Sequence, residues 1–339
     1  MTPAELSRTV LRSVRGAVAE RELSVPVPAR IVVQPPPRPG CGDYASNVAL
    51  QLAKQAGRPA REVAEILCRR LAGSAGIARV EIAGPGFLNF HLGDGASAGL
   101  VREVLARGER YGEPAASGAA AGAGPGRIAE GPARCAGEWA AARESVVREV
   151  LVRLGRDDVR AGTPAAPGRA ELAGLVARLG ADEARWALLK PAAADPVRPP
   201  ARPVQHEDNP RFRVQYAHAR SRAMVRNAGE LGFTGEPGDV RDAAGHGDAR
   251  LVQALESCLA TYPTAVATAA RSCAPDRLVR HLEATADAAL RWQEEFPPLP
   301  AGEQKPSAVH RARVALAEAT GTVLCNGLHL LGISSPEHV

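Results

Sequence analysis

Lysine is almost missing from this chain: of 42 cationic residues only three, Lys54, Lys190 and Lys305, are lysines. Positive charge rests on arginine, within an Ala/Gly/Pro/Arg-rich composition of the kind that genome base composition produces. The net charge of +5 and pI near 9.1 permit a phosphate-rich partner without demanding one. Long apolar runs are absent too. No stretch of 18 apolar residues occurs, and the opening MTPAELSRTVLRSVRG has no apolar core followed by a cleavage site, so neither a membrane span nor a leader is read. A cytoplasmic protein with no membrane partner is expected, and a monomer. The six cysteines are scattered without a C-x-x-C, which points to reduced, mostly buried thiols rather than a zinc site or a disulfide framework.

Catalytic signatures are also missing. There is no Gly-rich phosphate loop after a strand, no H-E-x-x-H, no G-x-S-x-G and no paired carboxylates in a pocket-like context. The eight histidines are scattered. The residues themselves therefore indicate no catalytic residue, no metal and no cofactor.

What is present is ordinary apolar content, 45%, in a chain of 339 residues, enough for two domains with cores of their own. Thr2-Pro3-Ala4-Glu5 reads as a capping box, and Leu6, Val10, Leu11, Val14 and Val18 follow at helical spacing to about residue 22. A short strand is expected at 31–33, ended by Pro35-Pro36-Pro37, then helices at 44–55 and 60–72. Strands at 79–83 and 87–92 are joined by Gly84-Pro85-Gly86. These make a small α+β domain over residues 1–112.

Residues 113–127, rich in Ala, Gly and Pro, read as a linker. Helices at 138–154 and 170–190, the latter broken at Gly180, and a proline-rich tract at 191–203 complete a middle segment, 113–208. Its structured part is too small for a nucleotide-binding domain, which needs on the order of 100 to 150 residues. From 209 to 339 the pattern is helical throughout: 210–231, 249–259, 263–271, 275–295 and 306–331, an all-α bundle.

Two segments stand out chemically. Alternation along 87–92 places Phe87, Asn89 and His91 on the face opposite Leu88, Phe90 and Leu92. An aromatic ring beside an amide suits stacking on an unpaired base and reading its edge; the alternative is a solvent face with Phe87 packed on a neighbouring helix. In Asn209-Pro210-Arg211-Phe212-Arg213-Val214-Gln215-Tyr216-Ala217-His218-Ala219-Arg220, Tyr216 and Arg220 are one helical turn apart. They either hold a splayed base between ring and guanidinium, or Tyr216 is a core residue and Arg220 its solvated neighbour.

These segments resemble a known family. Gly42-Asp43-Tyr44-Ala45-Ser46-Asn47-Val48-Ala49 and Val80-Glu81-Ile82-Ala83-Gly84-Pro85-Gly86-Phe87-Leu88-Asn89-Phe90 resemble the N-terminal additional domain of arginyl-tRNA synthetases. Val214-Gln215-Tyr216-Ala217-His218-Ala219-Arg220 and the ending Val323 to Ile333 resemble that family's helical anticodon-binding domain, the DALR domain. Leu179-Gly180-Ala181-Asp182 is similar to the end of its catalytic domain, and Gly131-Pro132-Ala133-Arg134-Cys135-Ala136-Gly137-Glu138-Trp139-Ala140 looks like a decayed HIGH-type motif without its histidines. No KMSKS-like loop is present.

The resemblance implies an α+β additional domain, a degenerate remnant of a Rossmann-type catalytic domain, and an all-α DALR domain. It implies transfer RNA as partner, that for arginine above all, with Phe87 and Asn89 at the D-loop corner. Tyr216, Arg220 and the chain's last residue, Val339, are then expected at the anticodon. The family commonly ends in methionine, so Val339 makes a smaller wall. The reading is a non-catalytic transfer-RNA-binding protein, not an enzyme. Two alternatives stand beside it: an active arginine-tRNA ligase, and a module derived from one that binds a protein partner in translation.

Overall fold

The computed structural model describes residues 3–34, 36, 41–93, 95–113, 139–156, 159, 166–202, 205–206, 208–241 and 248–338. The expected cap at Thr2, most of the linker and of the HIGH-like stretch, and Val339 lie outside these.

Helix α1 (Pro3–Ala19) buries Leu6, Val10, Val14 and Ala17, the stripe that the three- and four-residue spacing dictates. Strand β1 (Tyr44–Ser46), helices α2 (Val48–Ala56) and α3 (Ala60–Leu71), and strands β2 (Ile77–Ala83) and β3 (Phe87–Leu92) complete the first lobe. The strands form one antiparallel sheet in the order β1-β3-β2. Leu88, Phe90 and Tyr44 join the helices' apolar faces in a core of their own.

Two expectations change here. Residues 31–33 form no strand; only Gln34 bridges Ala45. The expected helix at 44–55 instead begins at Val48, because Tyr44, Ala45 and Ser46 pair with Phe90, Asn89 and Leu88. Gly42 makes that pairing possible: its φ is 98°, and a Cβ there would lie 2.8 Å from the Phe90 carbonyl oxygen.

Helix α4 (Gly95–Arg107), not anticipated from the sequence, leads into a single 3-10 turn. Its Leu100, Val101 and Val104 belong to a second, larger core shared with α5 (Ala140–Arg153), α6 (Ala166–Leu179), α7 (Ala181–Leu189), α8 (Pro210–Glu230), α9 (Ala249–Arg271), α10 (Asp276–Glu295) and α11 (Ala308–Leu331). The fold class is thus a small mixed domain followed by a helical one. Helix α11 is long and apolar enough to cross a membrane by composition, yet 72% of its most apolar window is buried within the protein, as in the core helix of a bundle. Helix α9 runs unbroken through Pro263, where two helices were expected. Buried Arg143 on α5 clamps the proline tract by donating to the carbonyls of Pro191, Ala192 and Asp195.

Candidate nucleic-acid interface

The N-terminus of α8 is set by Asn209, whose side chain accepts the Arg211 N–H at 3.0 Å, with Pro210 at the first helical position. Val214, Ala217 and Met224 face the core, and buried Ser221 accepts from Gln293 of α10 at 3.0 Å. On another side three half-buried residues follow one another at four-residue steps. Phe212 stacks on Tyr216 with ring centres 6.1 Å apart and planes 6° from parallel. Arg220 donates from Nη1 to the Tyr216 hydroxyl at a long 3.5 Å. Tyr216 and Arg220 are therefore in contact as their spacing implied. Phe212, one turn earlier, was not singled out in the sequence, although the same spacing contains it.

Beside this ladder the chain's end returns along α8. Gln215 donates to the Ser334 carbonyl and to Asp182, both at 2.9 Å. The His218 Nδ1–H donates to the Pro336 carbonyl at 3.0 Å. Burial holds the His218 imidazole below its usual range, partly opposed by that hydrogen bond and reinforced by Arg222. Arg222 and Arg226 meet Glu337 at 3.2 and 3.4 Å. The stripe Gln215, His218, Arg222, Arg226 has the three- and four-residue steps of one helix face, and only this periodicity could have revealed it.

In the other lobe Phe87 is exposed, at 41%. Asn89, on the same strand face, lies in register between Ala45 and Glu81 and is only 7% exposed, so its amide is covered rather than open. His91 sits 3.1 Å from Glu81, which also pairs with Arg79 at 2.9 Å. The His91 hydrogen bond holds the Glu81 carboxyl below its usual range against the cost of desolvation, and the Arg79 charge adds a smaller push in the same direction. Phe87 and Asn89 lie on β3, in the N-terminal lobe, and Tyr216 and Arg220 on α8, in the helical one.

Among the described residues no group of three or more His, Cys, Asp or Glu is placed to hold a metal ion. The described cysteines, Cys41, Cys68, Cys258, Cys273 and Cys325, are in no disulfide; only Cys273 among them is fully buried, against the mostly buried set expected. A cavity of about 850 Å³ lies between α7, the proline tract and the start of α8, walled by Trp186, Pro191, Pro196 and Asn209. Its Lys190 and Arg280 are already paired, with Glu283 and Asp276.

Residues 8–92 match the model of the arginyl tRNA synthetase N terminal domain, and residues 214–339 that of the DALR anticodon binding domain. The arginine–tRNA ligase of Frankia alni is 52% identical over 115 residues, 34% of this chain and 21% of that protein. Those of Paenarthrobacter aurescens and Pseudarthrobacter chlorophenolicus are 40% and 41% identical over 171 and 176 residues, half of this chain and 30% and 31% of theirs. The chain thus spans less than a third of the length of these curated relatives. The solved arginyl-tRNA synthetase of Thermus thermophilus aligns with a TM-score of 0.56 at 16% identity, covering 100% of both chains, a likeness of fold. The chain is arginyl-tRNA synthetase-like, carrying that family's N-terminal domain and its DALR anticodon-binding domain.

Proposed function

We propose that this chain binds transfer RNA, that for arginine above all, and does not aminoacylate it. The observation that carries the reading is the ladder of Phe212, Tyr216 and Arg220 beside the docked C-terminal tail. A ring already stacked on one side needs little further ordering to receive a base, and the neighbouring guanidinium offers donors to its edge. Phe87 provides a second stacking surface on the N-terminal lobe, for an unpaired base at the D-loop corner. Asn89, being covered, contributes there only if the strand face opens. Val339 follows Glu337 by two residues and is proposed as the far wall of the base pocket.

The non-catalytic part of the reading is supported by residues 93–213, between the two matched stretches. Their described residues form helices α4 to α7 and no strand, whereas nucleotide activation on a Rossmann-type fold uses a parallel sheet. Neither HIGH-type histidine is in the sequence, and activation requires preorganised donors at the phosphoryl centre.

The test is a binding titration of the full chain against transcripts of arginine transfer RNA and an unrelated transfer RNA, at two salt concentrations, with Tyr216→Ala in parallel. Selective binding that weakens with salt and with the substitution is expected. Equal or negligible binding to both would leave only an inherited fold and bring forward a protein partner. Arginine-dependent pyrophosphate exchange in the presence of transfer RNA would replace the non-catalytic reading with a ligase.

A further inference from the structure

Near the end of α11, Cys325 and His329 stand one helical turn apart, and the left-handed Gly332 (φ 70°) turns the chain so that Ser335 returns over both. The Ser335 hydroxyl lies 3.3 Å from the Cys325 sulfur and 3.0 Å from His329 Nε2. The sulfur is 3.8 and 3.9 Å from the two ring nitrogens, nearly equidistant, so neither lone pair points squarely at the thiol. The hydroxyl is the shorter route. It can accept the thiol proton and donate its own to Nε2, which makes Ser335 a proton bridge between a nucleophile and a base.

The other described cysteines lack this arrangement. The Cys68 thiol donates to the Val80 carbonyl at 3.5 Å, and burial pushes its pKa up. Burial also pushes the Cys258 thiol up. Cys273 is buried beside Arg156, out of reach of a reagent, and Cys41 is half-buried with no imidazole placed against it among the described contacts. Cys325 is half-buried, enough access for a small reagent, and His329 is exposed, so a leaving group can reach the proton held there. Nothing in the RNA reading above uses this trio.

We propose that Cys325 is a site of mixed-disulfide formation with small disulfides of the glutathione class, its thiol deprotonated through Ser335 to His329. The Cys325 proton passes to the Ser335 oxygen as the hydroxyl proton moves to Nε2. The sulfur attacks one sulfur of the incoming disulfide, a new S–S bond forms at Cys325, and the old one breaks. The second half of the reagent leaves as a thiolate and takes the proton back from His329. Cys325 is oxidised to the disulfide level and the leaving half is reduced to a thiol, so the exchange balances with no further reactant. The adduct occupies the space over Cys325 and displaces Ser335, loosening the tail at a point between its Gln215 and His218 attachments.

The experiment needs no RNA and so stands apart from the binding reading. The full chain is incubated with oxidised glutathione near neutral pH, quenched at intervals, and the adduct at each cysteine is measured by peptide mass spectrometry. Cys325 is expected to react about tenfold faster than Cys41, Cys68 or Cys258, and His329→Ala or Ser335→Ala to slow it about tenfold. Ser335→Thr, which keeps the hydroxyl, is expected to restore the rate. Cys41 in the same sample serves as the internal rate standard for each variant, so a general loosening of the fold would raise both together. Equal rates at Cys325 and Cys41, or a Cys325 rate indifferent to both alanine substitutions, overturns the proposal.

Discussion

Tyr111 donates its hydroxyl to the backbone carbonyl of Leu259 at 3.0 Å. Leu259 lies four residues before Pro263, which has no N–H, so this carbonyl would otherwise be a buried acceptor in mid-helix without its helical donor. The tyrosine thus replaces the missing bond and lets α9 continue. Tyr111→Phe should cost about 1–3 kcal/mol, the range for stranding a buried polar group. Pro263→Ala restores the N–H, so in that background the same substitution should cost well under half as much. Urea denaturation of the four proteins of this cycle measures the coupling; additive losses would mean that the hydroxyl serves some other purpose.

The tail gives a second prediction. Gln215 is buried and joins Ser334 to Asp182, so Gln215→Leu strands the Ser334 carbonyl, while Asp182 keeps the hydrogen bonds donated by the Ser334 N–H and hydroxyl. A loss of about 1–3 kcal/mol is expected, together with faster trimming of the last residues by carboxypeptidase. An unchanged trimming rate would show that the Ser334–Asp182 hydrogen bonds, His218 and the Glu337 ion pairs hold the tail without it.

In the ladder, Phe212 fixes the plane of Tyr216. A stacked aromatic pair contributes about 0.5–1.5 kcal/mol beyond its buried area, so Phe212→Ala should weaken transfer-RNA binding roughly two- to tenfold while Phe212→Tyr leaves it unchanged. Binding isotherms of the two variants at one salt concentration decide this. Equal affinity in both would remove Phe212 from the site.

Local pattern carried much of this architecture. The α1 stripe and the alternation of β3 from Phe87 to Leu92 were legible because each is set by its own period. What was not legible depends on distant partners. Tyr44 to Ser46 have a helix-like context but pair with a strand more than forty residues later, and the Gly/Ala-rich start of α4 becomes helical against α9 and α11. Pro263 reads as a helix break until Tyr111 is brought to Leu259. The contact between Tyr216 and Arg220 followed from four-residue spacing, whereas the covering of Asn89 depends on Ala45 and Glu81 from neighbouring strands, which no single strand's pattern contains.

The last prediction concerns two ionisable groups whose effects oppose each other. Glu256 on α9 faces a crevice of about 400 Å³ between the lobes, beside Asp43, Tyr44 and Gln253. Burial, then the Asp43 charge, push its carboxyl up from 4.5 to about 7, and the hydrogen bond from Ser97 only partly opposes them. The folded state therefore holds the proton more tightly than the unfolded chain, and stability falls as pH rises from about 4.5 to about 7. His281 on α10 is pushed down from 6.5 to about 4 by burial, partly offset by its backbone hydrogen bond with Cys258. Its Nε2 is buried without a hydrogen-bond partner. Here the unfolded chain binds the proton more tightly, so stability falls as pH drops from about 6.5 to about 4. Where the windows overlap, the two slopes have opposite sign and offset one another. Glu256→Gln should therefore uncover a steeper loss of stability on acidification, and His281→Phe a steeper loss on the way up to neutrality. Urea midpoints of the three proteins at several pH values between about 4.5 and 7.5 test this. Variant curves that run parallel to the parent's would show that neither group changes its proton affinity on folding.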